Sequence, residues 1–187
     1  MKQEELLINR ILKGDTSSFS YFVDVYQDMA LTIAFRICKN TQDAEDIVQN
    51  AFVKAFHNLH TFQASSKFST WFYRIVYNTA INAMKERNLY DSRFVEYSSM
   101  IDNVSASSAN SVSVLEEKER REIINRAIDS LPPSEAVVLT LYYVDDKPIK
   151  DIALIVGLTE ANIKVRLHRA RKKLKTLLEN SIEIPKI

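Results

Sequence analysis

Apolar positions recur at steps of three and four residues along most of this chain, which is the spacing of amphipathic helices. The pattern begins at Leu6, Leu7 and Ile11, and the segment after Gly14 supplies a break and an N-cap at 15–18. Within the first half of the chain the spacing predicts further helices over about 19–26, 29–38, 41–56 and 70–87. Thr41 is expected to be the N-cap of the helix over 41–56.

A serine-rich segment separates this part of the chain from a second helical part. From Ser98 to Ser113, seven of sixteen residues are serine, and aromatic side chains are absent. Such a segment buries too little apolar area to offset the entropy lost on ordering, so we predict a flexible linker. Helical spacing then resumes over about 115–130, 134–144 (capped by Ser134) and 149–178, the last range holding two helices.

The composition favours an all-α fold. The 187 residues include only two glycines, Gly14 and Gly157, whereas a β-rich protein of this length needs many more turn residues with positive φ. The sequence predicts neither a signal peptide nor a membrane span, and we therefore expect a cytoplasmic protein. The lone Cys38 is expected to be a buried, unreactive residue.

The last two predicted helices have the spacing of a helix-turn-helix motif. Ala153 allows the helices to approach closely, Gly157 supplies a left-handed turn residue, and Thr159 caps the second helix. That helix buries one stripe, which consists of Ile163, Leu167, Ala170, Leu174 and Leu177. Its other face is basic, so we predict contacts with the phosphates and base edges of duplex DNA.

The basic run from Lys164 to Lys175 contains seven cations and no acid. A run of charge is commonly no more than the solvated face of a helix. That alternative is disfavoured here, because no glutamate is interspersed for pairing at a distance of four residues and the run follows a helix-turn-helix break. His168 has no second histidine or cysteine beside it as a zinc ligand, and base contact or no role both stay open for it.

Aromatic residues are concentrated around the helix expected from Thr70. Its buried stripe would be Phe72, Ile75, Val76, Thr79 and Ala83. The other face would carry Trp71, Arg74, Asn78, Asn82 and Lys85, with Tyr73 and Tyr77 at its edge. Exposed aromatics with amides and cations can hold unpaired bases, but packing in a core is the commoner role of aromatic residues, and both alternatives stay open.

Four segments, taken in order, make the chain resemble the sigma-70 family of bacterial transcription initiation factors, and specifically its extracytoplasmic-function group. They are Asp43–Gln49 with Phe52, Lys54 and Phe56; Phe68–Ile75 with Asn78; Leu131–Ser134 with Leu139 and Tyr142; and Ile149–Arg171. The resemblance implies an all-α fold of two small helical domains, one like sigma region 2 and one like the region 4 helix-turn-helix. The domains would be residues 1–92 and 116–187, joined by the flexible linker 93–115.

The resemblance also implies three sets of contacts. The acidic helix is similar to region 2.2, which would dock on polymerase through Asp43, Glu45, Asp46 and Gln49; without the resemblance, these acids are only favourable residues at a helix start. The aromatic helix is similar to regions 2.3 and 2.4, which would open and hold the minus-ten element through Lys67, Trp71, Arg74, Asn78 and Asn82. The helix-turn-helix is similar to region 4.2, which would bind the minus-thirty-five element through Thr159, Lys164, Val165, His168, Arg169, Arg171 and Lys172.

Partners follow from the same resemblance: core RNA polymerase, mainly its β′ clamp and β flap, promoter DNA, and an anti-sigma factor. We expect a monomer without a membrane span. We also expect no cofactor, metal or catalytic residues, because the sequence contains no glycine loop for phosphate and no triad or metal-ligand spacing. Two rivals stay open. A dimeric helix-turn-helix regulator leaves the aromatic helix unexplained, and a helical adaptor that binds only proteins leaves the basic face unexplained.

Overall fold

The computed structural model describes residues 2–63, 66–93 and 112–181, and these form eight α-helices. The helices are α1 (Lys2–Leu12), α2 (Ser20–Cys38), α3 (Thr41–His57), α4 (Phe68–Arg93), α5 (Val112–Asp129), α6 (Pro133–Tyr143), α7 (Ile149–Val156) and α8 (Glu160–Ser181). Short 3-10 turns occur at Thr16–Phe19 and Leu59–Thr61. No strand occurs in these ranges, and the all-α prediction is confirmed.

Helices α1 to α4 form the N-terminal domain, in which α2, α3 and α4 pack against one another. Their core is aromatic: the ring centroids of Phe22 and Phe68 lie 4.3 Å apart, and those of Phe52 and Phe72 lie 4.5 Å apart. Burial of each such ring stabilises the fold by about 1.5–3 kcal/mol. This core fixes the orientation of α3 and α4, whose outer faces carry the first two predicted surfaces.

Three predicted helix boundaries in the first half of the chain differ from the structure. The helices expected over 19–26 and 29–38 are one continuous helix, α2, because Gln27 and Asp28 are exposed helical positions and no glycine or proline interrupts them. The N-cap of α3 is Asn40 and not Thr41, since the Asn40 side chain accepts a hydrogen bond from the Asp43 amide at 2.9 Å. Helix α4 begins at Phe68, two residues before the expected start.

Helices α5 to α8 form the C-terminal domain, with α8 packed against α5, α6 and α7. The helix-turn-helix prediction is confirmed in its details: Gly157 has a left-handed φ of 69°, and the Thr159 hydroxyl accepts a hydrogen bond from the Asn162 amide at 3.3 Å. Helix α6 begins at Pro133 with Pro132 as its N-cap, so Ser134 lies in its first turn and is not the cap expected from the sequence.

The two domains pack directly against each other. Helix α7 lies on α4, and α6 lies on α2. The buried apolar residues of the N-terminal domain form one cluster with residues of α6, α7 and α8, namely Val137, Val138, Leu141, Ile152, Ala153, Ile155, Val156, Ile163 and Leu167. Most of the predicted linker, residues 94–111, lies outside the described ranges; α4 ends at Arg93 and α5 begins at Val112.

Candidate polymerase and nucleic-acid interfaces

The acidic surface consists of Asp43, Glu45, Asp46 and Gln49 on the outer side of α3. The last three side chains are exposed, while the opposite side of the helix is buried in the aromatic core. Asp43 accepts a hydrogen bond from Arg87 of α4, with 2.5 Å between Nη1 and Oδ2. The structure therefore brings the four residues together, but it gives Asp43 a cationic partner within the chain.

Val53 extends the acidic surface by one turn and carried no role in the sequence analysis. Its side chain is 55% exposed and follows Glu45 and Gln49 at steps of four on the same side of α3. A valine between Phe52 and Lys54 fits the pattern of a core residue. Only its exposure in the structure identifies Val53 as part of this surface. An exposed apolar side chain beside carboxylates and an amide is a suitable centre for a protein contact.

The aromatic–amide surface consists of Lys67, Trp71, Arg74, Asn78 and Asn82. Arg74, Asn78 and Asn82 are exposed and succeed one another at steps of four along α4. Lys67 is exposed just before the helix. The surface thus combines two cations and two amides, of which Arg74, Asn78 and Asn82 form a line along α4.

Trp71 is only partly exposed. Its ring centroid lies 5.4 Å from that of Phe62 and 5.5 Å from that of Phe68, so one part of the indole packs on the core and another reaches the surface. Both alternatives left open for this face therefore apply in part to Trp71, because the indole is anchored by packing on the core and still reaches the surface. An anchored indole has little rotamer entropy left to lose when a base stacks on it.

Tyr73 differs most from its predicted position. It was expected at the edge of the exposed face, but it is 2% exposed, and the Lys147 ammonium of the C-terminal domain lies 5.4 Å from its ring centroid. Burial, reinforced by the Asp145 carboxylate, raises the pKa of Tyr73. Burial also raises the pKa of the half-buried Tyr77, against the opposing charge of Arg166. Both tyrosines face the other domain.

The basic surface consists of Thr159, Lys164, Val165, His168, Arg169, Arg171 and Lys172, all of which are exposed. The predicted buried stripe of α8 is confirmed for Ile163, Leu167 and Ala170, which are at most 2% exposed, whereas Leu174 and Leu177 are only partly buried. These residues fix the rotation of α8 and leave the basic side chains on its exposed side, where Arg171 also packs over the Tyr142 and Tyr143 rings of α6. Val165 is 48% exposed and is the apolar member of the surface.

Several cations of the same helix have partners within the chain. Lys173 donates to the buried Glu135 of α6 at 2.9 Å, and Lys175 lies 3.6 Å from Glu179. The inference that the basic run from Lys164 to Lys175 lacks acidic partners is therefore wrong for these two lysines. Glu135 belongs to another helix, and Glu179 follows the run in the same helix. The partly buried Arg166 lies near Tyr77 of the other domain.

Among the residues that the structure describes, the cysteine and the groups able to bind a metal form no further site. The Cys38 thiol is buried and lies 3.1 Å from the Asn40 carbonyl oxygen, and burial raises its pKa. In the part of the chain that the structure describes, no three histidine, cysteine or acidic side chains are grouped to hold a metal. None of the helices in the same ranges is long and apolar enough to cross a membrane.

Comparison with known families and proteins agrees with this arrangement. The model of sigma-70 region 2 matches residues 22–89, and that of sigma-70 region 4 matches residues 121–174. The ECF RNA polymerase sigma factor SigW of Bacillus subtilis is 30% identical over 178 residues, which cover 92% of this chain and 95% of the relative. The ECF RNA polymerase sigma-E factor of Escherichia coli K12 is 31% identical over 179 residues, with coverages of 90% and 91%.

Two solved structures have a similar fold. The sigma factor RpoE of Bartonella quintana, solved with the anti-sigma factor NepR, has a TM-score of 0.66 at 23% identity and covers 86% of this chain and 96% of its own. CnrH, solved with the cytosolic domain of CnrY, has a TM-score of 0.65 at 22% identity, with coverages of 95% and 97%.

Two sigma domains in one chain, joined in the order region 2 then region 4, define the class of sigma-70 transcription initiation factors. The chain belongs to the extracytoplasmic-function group of this family. It binds core RNA polymerase, directs the polymerase to specific promoters and assists promoter opening. This membership decides against the operator-binding regulator and the protein-only adaptor.

Proposed function

We propose that residues 1–92 bind polymerase and the minus-ten element, that 93–115 act as a tether, and that 116–187 bind the minus-thirty-five element. The observation that carries the proposal is the exposure of three chemically distinct surfaces on separate helices of one chain. An acidic surface suits a cationic protein partner, a line of amides beside an indole suits unpaired bases, and a basic helix suits duplex DNA.

The acidic surface is proposed to contact the β′ clamp of core polymerase. Glu45, Asp46 and Gln49 are exposed for this contact, and Val53 would supply its apolar centre. Asp43 would act mainly by holding α3 against α4 through Arg87, because its carboxylate is already paired. Complementary charge of this kind speeds association and selects the partner.

The aromatic–amide surface is proposed to hold the displaced strand of the minus-ten element. A base stacked on Trp71 gains about 1–3 kcal/mol, which offsets the few kcal/mol lost on unstacking it from the duplex. The amides of Asn78 and Asn82 can donate to and accept from base edges, and Lys67 and Arg74 can neutralise phosphates. Opening would then draw on binding energy and require no ATP.

The basic surface is proposed to enter the major groove of the minus-thirty-five element. Arg169 and Lys164 can contact guanine edges or phosphates, and Val165 can contact a thymine methyl. His168 would lie between them, and Thr159, whose hydroxyl caps α8, would approach the backbone at the helix N-terminus. Arg171 and Lys172 would complete the contacts along the helix.

The remaining proposals concern localisation, oligomeric state, enzymatic activity and further partners. We propose that the protein works in the cytoplasm as a monomer, contacts the β flap through its C-terminal domain, and is itself not an enzyme. An anti-sigma factor is a proposed partner, supported by the fold shared with two sigma factors that were solved with anti-sigma partners.

The experiment that tests these assignments measures polymerase binding and promoter binding separately. Purified chain is mixed with core polymerase, and the affinities for core and for a labelled promoter duplex are determined for one variant of each surface: Asp46→Lys, Asn78→Ala and Arg169→Ala. The proposal expects only the first to weaken core binding and only the other two to weaken promoter binding by the holoenzyme. Equal effects of all three on both affinities would contradict it.

A further inference from the structure

Helix α8 is held against α6 by two contacts of different chemistry. In the first turn of α6, the buried Glu135 carboxylate accepts a hydrogen bond from the Lys173 ammonium at 2.9 Å. At the end of α6, the Arg171 guanidinium lies over two rings, with its central carbon 5.6 Å from the Tyr142 centroid and 5.5 Å from the Tyr143 centroid. Both contacts position a cation of α8, but only the carboxylate neutralises the charge that it holds.

The two tyrosine rings form a fixed support for the guanidinium. Their centroids are 4.9 Å apart and their planes meet at 80°, which is the edge-to-face arrangement that aromatic pairs favour. Tyr142 is partly buried and packs against the core, whereas Tyr143 is 53% exposed. A guanidinium held on such rings has already lost much of its rotamer freedom, so a ligand that binds it causes little further loss.

The supported guanidinium keeps its capacity to bind an anion. Arg171 is exposed, and within the described ranges its only contacts of this kind are those with the two rings. An aromatic face attracts a cation but carries no net charge, so Arg171 retains its full charge and its five N–H donors. These donors form a planar fork that can bind two oxygens of one phosphate through parallel hydrogen bonds.

The position of Arg171 along α8 indicates which part of the DNA it meets. Arg171 follows Lys164 by seven residues and His168 by three, so all three lie on one side of the helix. Seven residues correspond to about 10 Å along the helix axis. In helix-turn-helix proteins the N-terminal residues of the second helix contact the base edges. A side chain two turns farther back is therefore expected to reach the sugar–phosphate backbone at the edge of the groove.

We propose that Arg171 binds one backbone phosphate at the edge of the minus-thirty-five element, and that Tyr142 and Tyr143 are positioning residues that hold its guanidinium for this contact. This inference rests on the proposed contact of α8 with duplex DNA. Phosphate contacts fix the register and orientation of a protein on the duplex but carry no base information. Arg171 thus sets the register of α8 in the groove, and base selection is left to residues nearer the start of the helix.

The first test removes the rings and keeps the arginine. Full-length chain is combined with core polymerase, and the affinity of this holoenzyme is measured for a promoter fragment that the wild type selects from a library. The double variant Tyr142→Leu/Tyr143→Leu should bind about two- to fivefold more weakly, which is the loss expected for an exposed cation–π contact. Tyr142→Phe/Tyr143→Phe keeps both rings and should restore the wild-type affinity.

The second test removes the arginine and varies the salt concentration. Arg171→Ala should weaken promoter binding by about tenfold and lower the slope of log affinity against log salt by about one, because one phosphate contact is lost. Arg171→Lys keeps the charge but lacks the planar fork, so it should recover only part of the affinity. Arg120→Ala removes an exposed cation of α5 and is the matched control, which should change neither quantity.

The two tests are joined in one double-mutant cycle. Because the rings act through the arginine, the tyrosine-to-leucine pair should cause little further loss when it is added to Arg171→Ala. Base preference in the upstream element should stay the same in every variant of this set. Fully additive losses, or a changed base preference in Arg171→Ala, overturn the inference.

A neutral phosphate analogue locates the contact without any change to the protein. Methylphosphonate linkages are placed one at a time along the upstream element. We expect one position at which the substitution weakens wild-type binding by about tenfold but leaves the binding of Arg171→Ala unchanged. The absence of any such position overturns the inference. If Arg169→Ala also leaves upstream selection unchanged, the proposed duplex contact of α8 fails as a whole, whereas loss of selection in Arg169→Ala alone contradicts only the role of Arg171.

Discussion

The Arg171 guanidinium lies 5.5 Å from the ring centroid of Tyr143, so a cation of the basic surface is stacked on α6. The neighbouring Tyr142 ring is at a similar distance, 5.6 Å. Such contacts contribute about 0.5–1 kcal/mol at exposed sites. Arg171 therefore has two roles open to it, bracing of α8 and contact with DNA, whereas the exposed Arg169 on the same helix has only the second.

The first prediction compares these two arginines. Arg171→Ala should lower the free energy of unfolding by about 1 kcal/mol and weaken promoter binding. Arg169→Ala should change the free energy of unfolding by less than about 0.5 kcal/mol. It should still reduce transcription from a promoter with an intact upstream element by about tenfold. Denaturant unfolding and transcription assays measure the two effects; equal activity of Arg169→Ala and wild type on intact and scrambled upstream elements would contradict the assignment.

The second prediction concerns promoter opening. Trp71→Ala removes the anchored indole, so it should slow transcription from duplex promoters while core binding persists. A template with a pre-melted bubble should restore activity, because the step that depends on stacking has already been completed. Phe62 packs against the indole. Phe62→Leu therefore serves as the control, because it loosens this packing but keeps the indole. A Trp71→Ala defect that the bubble template does not relieve would count against a role in melting.

The third prediction separates charge at the acidic surface from charge elsewhere. Asp46→Lys should weaken binding of core polymerase by about tenfold or more, because a cation would face a cationic partner. Asp28→Lys makes the same charge change at an exposed position of α2 and should have little effect. The defect of Asp46→Lys should shrink as salt screens the repulsion. Identical affinities of the two variants would remove the acidic surface from the polymerase contact.

The fourth prediction concerns the turn of the helix-turn-helix. A Cβ at Gly157 would meet no atom within 4 Å, so Gly157→Ala is strained only through its left-handed φ of 69°. That conformation costs an L-residue about 1–2 kcal/mol, and Gly157→Asn should cost less. Thermal unfolding of both variants measures the difference. Equal melting temperatures for wild type and Gly157→Ala would show that the turn does not depend on positive φ.

Much of the fold was accessible from the sequence, because burial within one helix follows a fixed period. The spacing around Ile163, Leu167 and Ala170 predicted the buried stripe of α8, and Gly157 with Thr159 predicted its turn and cap. The outward direction of the acidic and basic residues then followed from the same period.

The sequence could not reveal which exposed faces meet each other. Periodicity placed Tyr73 at a surface edge, and only the docking of α7 on α4 accounts for its burial. Arg36 likewise lies within a helical pattern with nothing to indicate a partner 93 residues later. Val53 was hidden for the opposite reason, since an apolar residue within an apolar run gives no sign of exposure.

The most direct measurement is transcription by core polymerase and this chain on a library of promoter fragments, with start sites mapped. We predict starts at a fixed distance from a two-part motif, and loss of selection on only the upstream part with Arg169→Ala. A chain that binds library DNA without core polymerase, or that binds core and yields starts without a shared motif, would contradict the account.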